Sequence, residues 1–212
     1  MFTSNVLTTH WQPAAENTEN TIIVLHGRGD SMEGFTWMPS TLALPANYLF
    51  VNAPDPYYTG YSWYDLAPNQ APGIVRSRKL LDQLFAELKT HGIKFAHTVL
   101  FGFSQGCLMT LEWGLRSQYR LAGYIGISGF CFDPEKLFDE LGPHAKQTPI
   151  LVTHGYHDEV LPFSHTESQI SWLKQKGLNI NWKAYEKSHT IDPKQEIEDL
   201  REFFLACFEA AS

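Results

Sequence analysis

The chain has 212 residues, 43% of them hydrophobic, and a formal net charge of −7. That length and apolar share suit a single globular domain, 1–212, with a sizeable core, and the mild, dispersed acidity offers no basic stripe for a nucleic-acid partner. Cys107, Cys131 and Cys207 are odd in number and lack ligand spacing, so neither a disulfide framework nor a metal site follows; without a signal-peptide pattern or a bilayer-length apolar run, the expected setting is the reducing cytoplasm.

In chain order, "TIIVLH" (21–26) is continuous and β-branched, as a strand buried on both faces should be, and "HGRGD" follows it. "YLFVN" (48–52) is a second strand of the same kind. The next loop crowds Tyr57, Tyr58, Tyr61, Trp63 and Tyr64 together. Leu81, Leu84, Phe85 and Leu88 form an i, i+3, i+4, i+7 helical stripe. "TVLF" (98–101) is a strand that runs through "GFSQG" into a helix carrying Leu108, Leu111 and Leu115. "YIGIS" (124–128) and "ILVTH" (150–154) are further strands, the second followed by "GYHDE". Ser164 and Glu167 have capping-box spacing for a helix that Gly177 closes. "NINWKAY" (179–185) alternates, with Ile180, Trp182 and Ala184 on one side, as a strand nearer a sheet edge does, and "EKSHT" follows. Asp192-Pro193 opens the last helix, whose buried face is Ile197, Leu200, Phe204 and Phe208. Strand alternating with helix predicts an α/β fold, a mostly parallel sheet covered on both faces. Such sheets bind ligands beyond the carboxyl ends of their strands.

Those strand ends supply a glycine-rich loop, Ser104, Asp158 and His189, in that order. A strand passing into a helix through one residue makes a sharp turn. Gly102 and Gly106 relieve its crowding, and Ser104 stands clear of the sheet at a helix N-terminus. A serine hydroxyl is a poor nucleophile near neutral pH, so it needs a base and the base needs an orienting acid. His189 fits the first role and Asp158 the second, with His154, His157, His165 and Glu159 as rivals by residue type. The backbone N–H groups of Gln105 and Arg28 are the expected oxyanion donors. His154-x-x-His157-Asp158 lacks the helical spacing that would align it on a metal, and His26 and His154 read as packed, hydrogen-bonded residues. The aromatic loop, through Tyr58, Tyr61 and Trp63, is the expected wall of an acyl pocket, with Phe130 and Phe163 opposite.

The stretches "LHGRGD", "VNAPDP", "YSWYDL", "LFGFSQG", "PILVTHGYHDEVLP" and "SHT" resemble the α/β-hydrolase branch of acyl-protein thioesterases, lysophospholipases and small bacterial carboxylesterases. The resemblance runs from Ile22 to about Phe204. It implies an α/β-hydrolase fold with no large cap, and hydrolysis of carboxylic esters or thioesters through an acyl-serine intermediate. It also implies that no cofactor is needed. The family's catalytic serine, aspartate and histidine fall on Ser104, Asp158 and His189, which favours Asp158 over Glu159, and its oxyanion donors fall on Arg28 and Gln105. The substrates it implies are small acyl esters or thioesters, lysophospholipids or acylated proteins. The chain departs from the family in having Arg28 where leucine is usual, Ser188 where glycine is usual, and a shorter loop over 55–66. A peptidase or amidase, an acyltransferase and a non-catalytic binder on the same fold are the competing readings.

Overall fold

The computed structural model describes residues 2–211. Seven strands form one sheet: β1 (Thr9–Gln12), β2 (Thr21–Leu25), β3 (Asn47–Val51), β6 (Thr98–Phe103), β7 (Gly123–Ile127), β8 (Ile150–Gly155) and β9 (Ile180–Tyr185). A separate hairpin pairs β4 (Asp55–Tyr57) with β5 (Gly60–Ser62). The sheet order is β1-β3-β2-β6-β7-β8-β9, parallel throughout except for β1, which runs antiparallel to β3.

The continuous apolar runs are strands because both faces of the sheet are covered. In β2, Ile23 and Leu25 join one core while Ile22 and Val24 join the other. The first core packs beneath α2 (Gln70–Thr90), α3 (Gln105–Gly114), α4 (Pro134–Asp139) and α5 (Phe163–Gln175). Leu81, Leu84, Phe85 and Leu88 are buried there, and Phe85 stacks on Trp113 with ring centroids 3.8 Å apart. The second core holds Met38 and Leu42 of α1 (Met38–Leu42) and Leu200, Phe204 and Phe208 of α6 (Gln195–Glu209). Every residue of α3 is buried, which makes it the central helix. No large cap is inserted among the described residues.

Two elements lie outside the expected set, and one local expectation needs correction. The edge strand β1 has no apolar run, because its residues are half-exposed and its sequence, THWQ, carries little pattern. The aromatic loop is a hairpin rather than an irregular segment. The Ser164–Glu167 capping box does not form: Pro162, with φ −55, already supplies a helical φ, α5 starts at Phe163, and Ser164 lies inside its first turn. The other helix signals hold. Gly177 takes φ +94 just after α5, and Asp192 Oδ1 accepts the N–H groups of Lys194 and Gln195 at 3.0 and 2.8 Å where α6 begins.

The chain reverses its direction of sheet growth at β2, with β3 added on one side and β6 on the other. The loops after β2 and β6 therefore flank a crevice at the carboxyl end of the sheet.

Candidate active site

Ser104 bridges β6 and α3 with φ +53 and ψ −113, a left-handed backbone that side chains other than glycine rarely adopt. Its N–H donates to Ile127 O at 2.8 Å and its carbonyl accepts from Leu108 N at 3.2 Å, so the turn is fixed from both sides. A Cβ on Gly106 would overlap Leu25 O, and one on Gly102 would overlap Gly106 O. The two glycines are thus required by close backbone approach.

His189 Nε2 lies 2.9 Å from Ser104 Oγ, and His189 Nδ1 lies 2.8 Å from Asp158 Oδ2. Three strand-end loops, after β6, β8 and β9, meet here. Asp158 is only 7% exposed, and its Oδ1 accepts the N–H groups of Val160 and Leu161 at 2.9 and 2.8 Å. Burial alone would push its carboxyl up, but these N–H donors and His189 outweigh burial and hold it below the usual range. The rivals are elsewhere. Glu159 and His165 are exposed, and His157 pairs with Glu186 at 2.6 Å on the surface. His154 is buried, with Nε2 2.9 Å from Leu161 O and 3.4 Å from Asp158 Oδ2. Burial keeps its imidazole below the ordinary pKa, so it donates from Nε2 as a neutral ring and braces the Asp158 turn.

The glycine-rich loop is held on three sides. His26 is fully buried; its Nδ1 lies 2.6 Å from Gly27 O and its Nε2 accepts Ala53 N–H at 3.0 Å. Burial lowers its pKa, consistent with a neutral ring in one tautomer. The β4–β5 hairpin bonds back to the loop, Gly29 N to Tyr61 O and Tyr61 N to Asp30 O, both at 2.8 Å. The Gln105 side chain completes the frame: Oε1 accepts Trp63 N–H at 2.9 Å and Nε2 donates to Tyr64 O at 2.7 Å. Neither the Arg28 nor the Gln105 backbone N–H donates to another described residue. The Arg28 guanidinium lies over the Tyr57 ring, 4.0 Å from its centroid, and its Nε is buried without a hydrogen-bond partner.

His189 sits at the start of its own loop, which is anchored by a buried ion pair that the sequence reading missed. Lys187 Nζ donates to both carboxylate oxygens of Glu196, each at 2.6 Å. Glu196 also accepts Thr153 Oγ1–H at 2.5 Å and Asp192 N–H at 2.7 Å. Charged residues are hard to read as buried from sequence when their partners come from other elements.

The five expected wall residues lie in different surroundings. Tyr58 is 91% exposed at the hairpin tip, because the two-residue turn with φ +51 carries it outward. Trp63 is fully buried, its Nε1–H donating to His26 O at 3.0 Å, so it is framework. Tyr61 packs on the core beside His26, Phe130 packs near His165, and Phe163 packs among His154, Tyr156 and Trp182. A separate groove that reaches His189, of about 530 Å³, is lined by Phe35, Trp37, Phe103, Ile191 and Ile197, with Asp30 at its side. Those residues carried no sequence signal, since each reads as ordinary core or loop.

A serine at a strand–helix elbow, a histidine and an aspartate on successive strand ends, and a mostly parallel sheet define the molecule as an α/β-hydrolase. The sequence model of the phospholipase/carboxylesterase family matches residues 10–208. Acyl-protein thioesterase 1 of Emericella nidulans is 32% identical over 219 residues, covering 90% of this chain and 91% of that protein. The crystal structure of esterase PE8 superposes with a TM-score of 0.81 at 28% identity, covering 94% of this chain and 98% of that one. That of Zea mays acyl-protein thioesterase 2 shares the fold, with a TM-score of 0.78 at 24% identity, covering 94% and 98%. The chain belongs to the phospholipase/carboxylesterase family, and by class it is a hydrolase of carboxylic esters or thioesters.

Proposed function

We propose that the chain hydrolyses carboxylic esters and thioesters in two steps through an acyl-Ser104 intermediate. The observation that carries this is the unbroken run from Ser104 Oγ to His189 Nε2, 2.9 Å, and from His189 Nδ1 to Asp158 Oδ2, 2.8 Å, at a positive-φ elbow. His189 takes the Ser104 proton as Oγ attacks the acyl carbon. Asp158 holds the imidazole with Nδ1 protonated and offsets the charge of the imidazolium. The backbone N–H groups of Arg28 and Gln105 receive the oxyanion; one such donor contributes about 2.7–4 kcal/mol in comparable enzymes. His189 returns its proton to the leaving oxygen or sulfur. Water, activated by the same imidazole, then releases the acid.

The relatives support the substrate class that we assign. The acyl-protein thioesterase 1 of Schizosaccharomyces pombe is 35% identical over 167 residues, 72% of this chain, and we assign S-acylated proteins and related small thioesters as substrates. The buried free thiols of Cys107, Cys131 and Cys207 fit a reducing compartment, and we assign the cytoplasm. Among the described residues no helix is long and apolar enough to cross a membrane.

The test is turnover of matched acetyl ester, thioester and amide substrates by the wild type and by Ser104→Ala and His189→Gln. Ester and thioester turnover should fall at least about a thousandfold in each variant. Ester turnover that survives Ser104→Ala, or an amide cleaved faster than its ester, would overturn the reading.

A further inference from the structure

We infer that the groove beside His189 holds the leaving-group half of the substrate, and that the alcohol or thiol it takes is apolar and not anionic. The inference rests on the triad reading above and adds a direction to it. Nothing in that reading says on which side of Ser104 the acyl chain and the departing group lie.

The direction comes from proton delivery. In acylation the bond from Ser104 Oγ to the acyl carbon forms and the bond from that carbon to the leaving oxygen or sulfur breaks. The bonding electron pair goes to the leaving atom, and the proton that His189 took from Ser104 goes to it as well. The leaving atom must therefore come within hydrogen-bond reach of His189 Nε2. The oxyanion points the other way, toward the N–H groups of Arg28 and Gln105. A group attached to the leaving atom thus extends along the imidazole, and the groove begins there. His189 forms part of its wall, whereas Arg28 and Gln105 do not.

The walls give the chemistry. Four rings stand in series from the rim to the site. Trp37 and Phe35 have centroids 6.4 Å apart, Phe35 and Phe103 are 6.2 Å apart, and Phe103 and His189 are 5.1 Å apart. Ile191 and Ile197 lie among the other lining residues, and Trp37, Phe103, Ile191 and Ile197 are all only partly buried, so their apolar surface is open to an occupant. At about 530 Å³ the groove is of the size that takes a whole small ligand. Among the described lining residues Asp30 is the one carboxylate, and it repels an anionic occupant. Aryl and alkyl alcohols or thiols meet these conditions; free carboxylates and phosphates on the leaving group do not.

The test separates the two halves of the substrate. Thr41 lies at an exposed position on α1 at the groove's edge, so Thr41→Phe narrows the groove without cutting into the core. Trp37→Ala removes the outermost ring. Both variants are compared with the wild type on 2-naphthyl acetate, ethyl acetate, phenyl acetate and 4-carboxyphenyl acetate, and on methyl esters of graded acyl length. The decay of the acetyl-enzyme is followed separately. Thr41→Phe should lower kcat/KM for 2-naphthyl acetate about tenfold more than for ethyl acetate. The loss should lie in acylation and not in acetyl-enzyme decay, since the leaving group has gone by then. Trp37→Ala should shrink the wild-type preference for the naphthyl over the ethyl ester, and the wild type should prefer phenyl over 4-carboxyphenyl acetate. Equal losses on both acetates, or no loss on either, would overturn the inference. So would a changed methyl-ester chain-length profile or a slower acetyl-enzyme decay, because these would place the acyl chain in the groove. Ester turnover that survives Ser104→Ala is a different result, which overturns the triad reading and this inference with it.

Discussion

Ser104 pays for its exposure in backbone strain. A side chain held at φ +53 costs on the order of 1–3 kcal/mol, offset here by the N–H bond to Ile127 and by the packing of β6 against α3. Glycine has no Cβ to crowd that conformation, so replacing the serine separates the strain from the chemistry. Both Ser104→Ala and Ser104→Gly lose the hydroxyl bond to His189, and only the second relieves the backbone. Urea unfolding should find Ser104→Gly more stable than Ser104→Ala by about 1 kcal/mol, the reverse of the order at an ordinary helix position, where Ala is favoured by a similar amount. Equal stabilities, or Ala ahead, would mean that the elbow stores no strain. Flanking glycines show the same crowding from the other side: backbone oxygens of Leu25 and Gly106 occupy the space that a Cβ at 106 or 102 would need.

At the scale of elements, the histidine must reach across the sheet. His189 follows β9, an edge strand, yet its partner Ser104 follows β6, with β7 and β8 between. The loop that covers this distance is tied down by Lys187 and Glu196, the second from the first turn of α6. Burial lowers the Lys187 pKa and the Glu196 carboxylate opposes that shift. Breaking such a pair from one side is costly because an uncompensated charge stays buried. Glu196→Ala should destabilise the protein by about 3–5 kcal/mol in urea unfolding. The Lys187→Met, Glu196→Ala double variant should cost less than Glu196→Ala alone, since no charge is stranded. If the double variant is the less stable of the two, Lys187 is not a stranded charge once Glu196 is gone, and the argument from burial fails. The hairpin has a parallel role on the opposite side of the site. Its backbone bonds to Gly29 and Asp30 fix the loop that carries Arg28.

At the scale of the molecule, the sequence made the architecture legible wherever one physical pattern dominated. Residues 21–26 could only be a doubly buried strand, and the stripe of Leu81, Leu84, Phe85 and Leu88 could only be a helix face. Ser104, Asp158 and His189 could be singled out because each lies within four residues of a strand end, and the parallel topology sends all those ends to one rim. What was not readable depends on contacts between elements. Trp63 looks like a pocket residue because it lies in an aromatic loop, but the Gln105 side chain and His26 carbonyl draw it into the core. Tyr58 looks the same and is carried into solvent by a two-residue turn. Phe35, Trp37 and Ile197 come from a short turn, its flank and the last helix, and no local pattern announces that they face His189 together. The same holds for Lys187 and Glu196, whose charges suggest exposure until the other is in place.

The central claim, that the hydroxyl at 104 is the nucleophile and the imidazole at 189 activates it, is tested most directly by intact-mass measurement after brief exposure to a fluorophosphonate. The account predicts one adduct, mapped to the peptide bearing Ser104, formed far more slowly in His189→Gln and absent in Ser104→Ala. An adduct on another residue, or labelling at Ser104 that proceeds unchanged without His189, would contradict it.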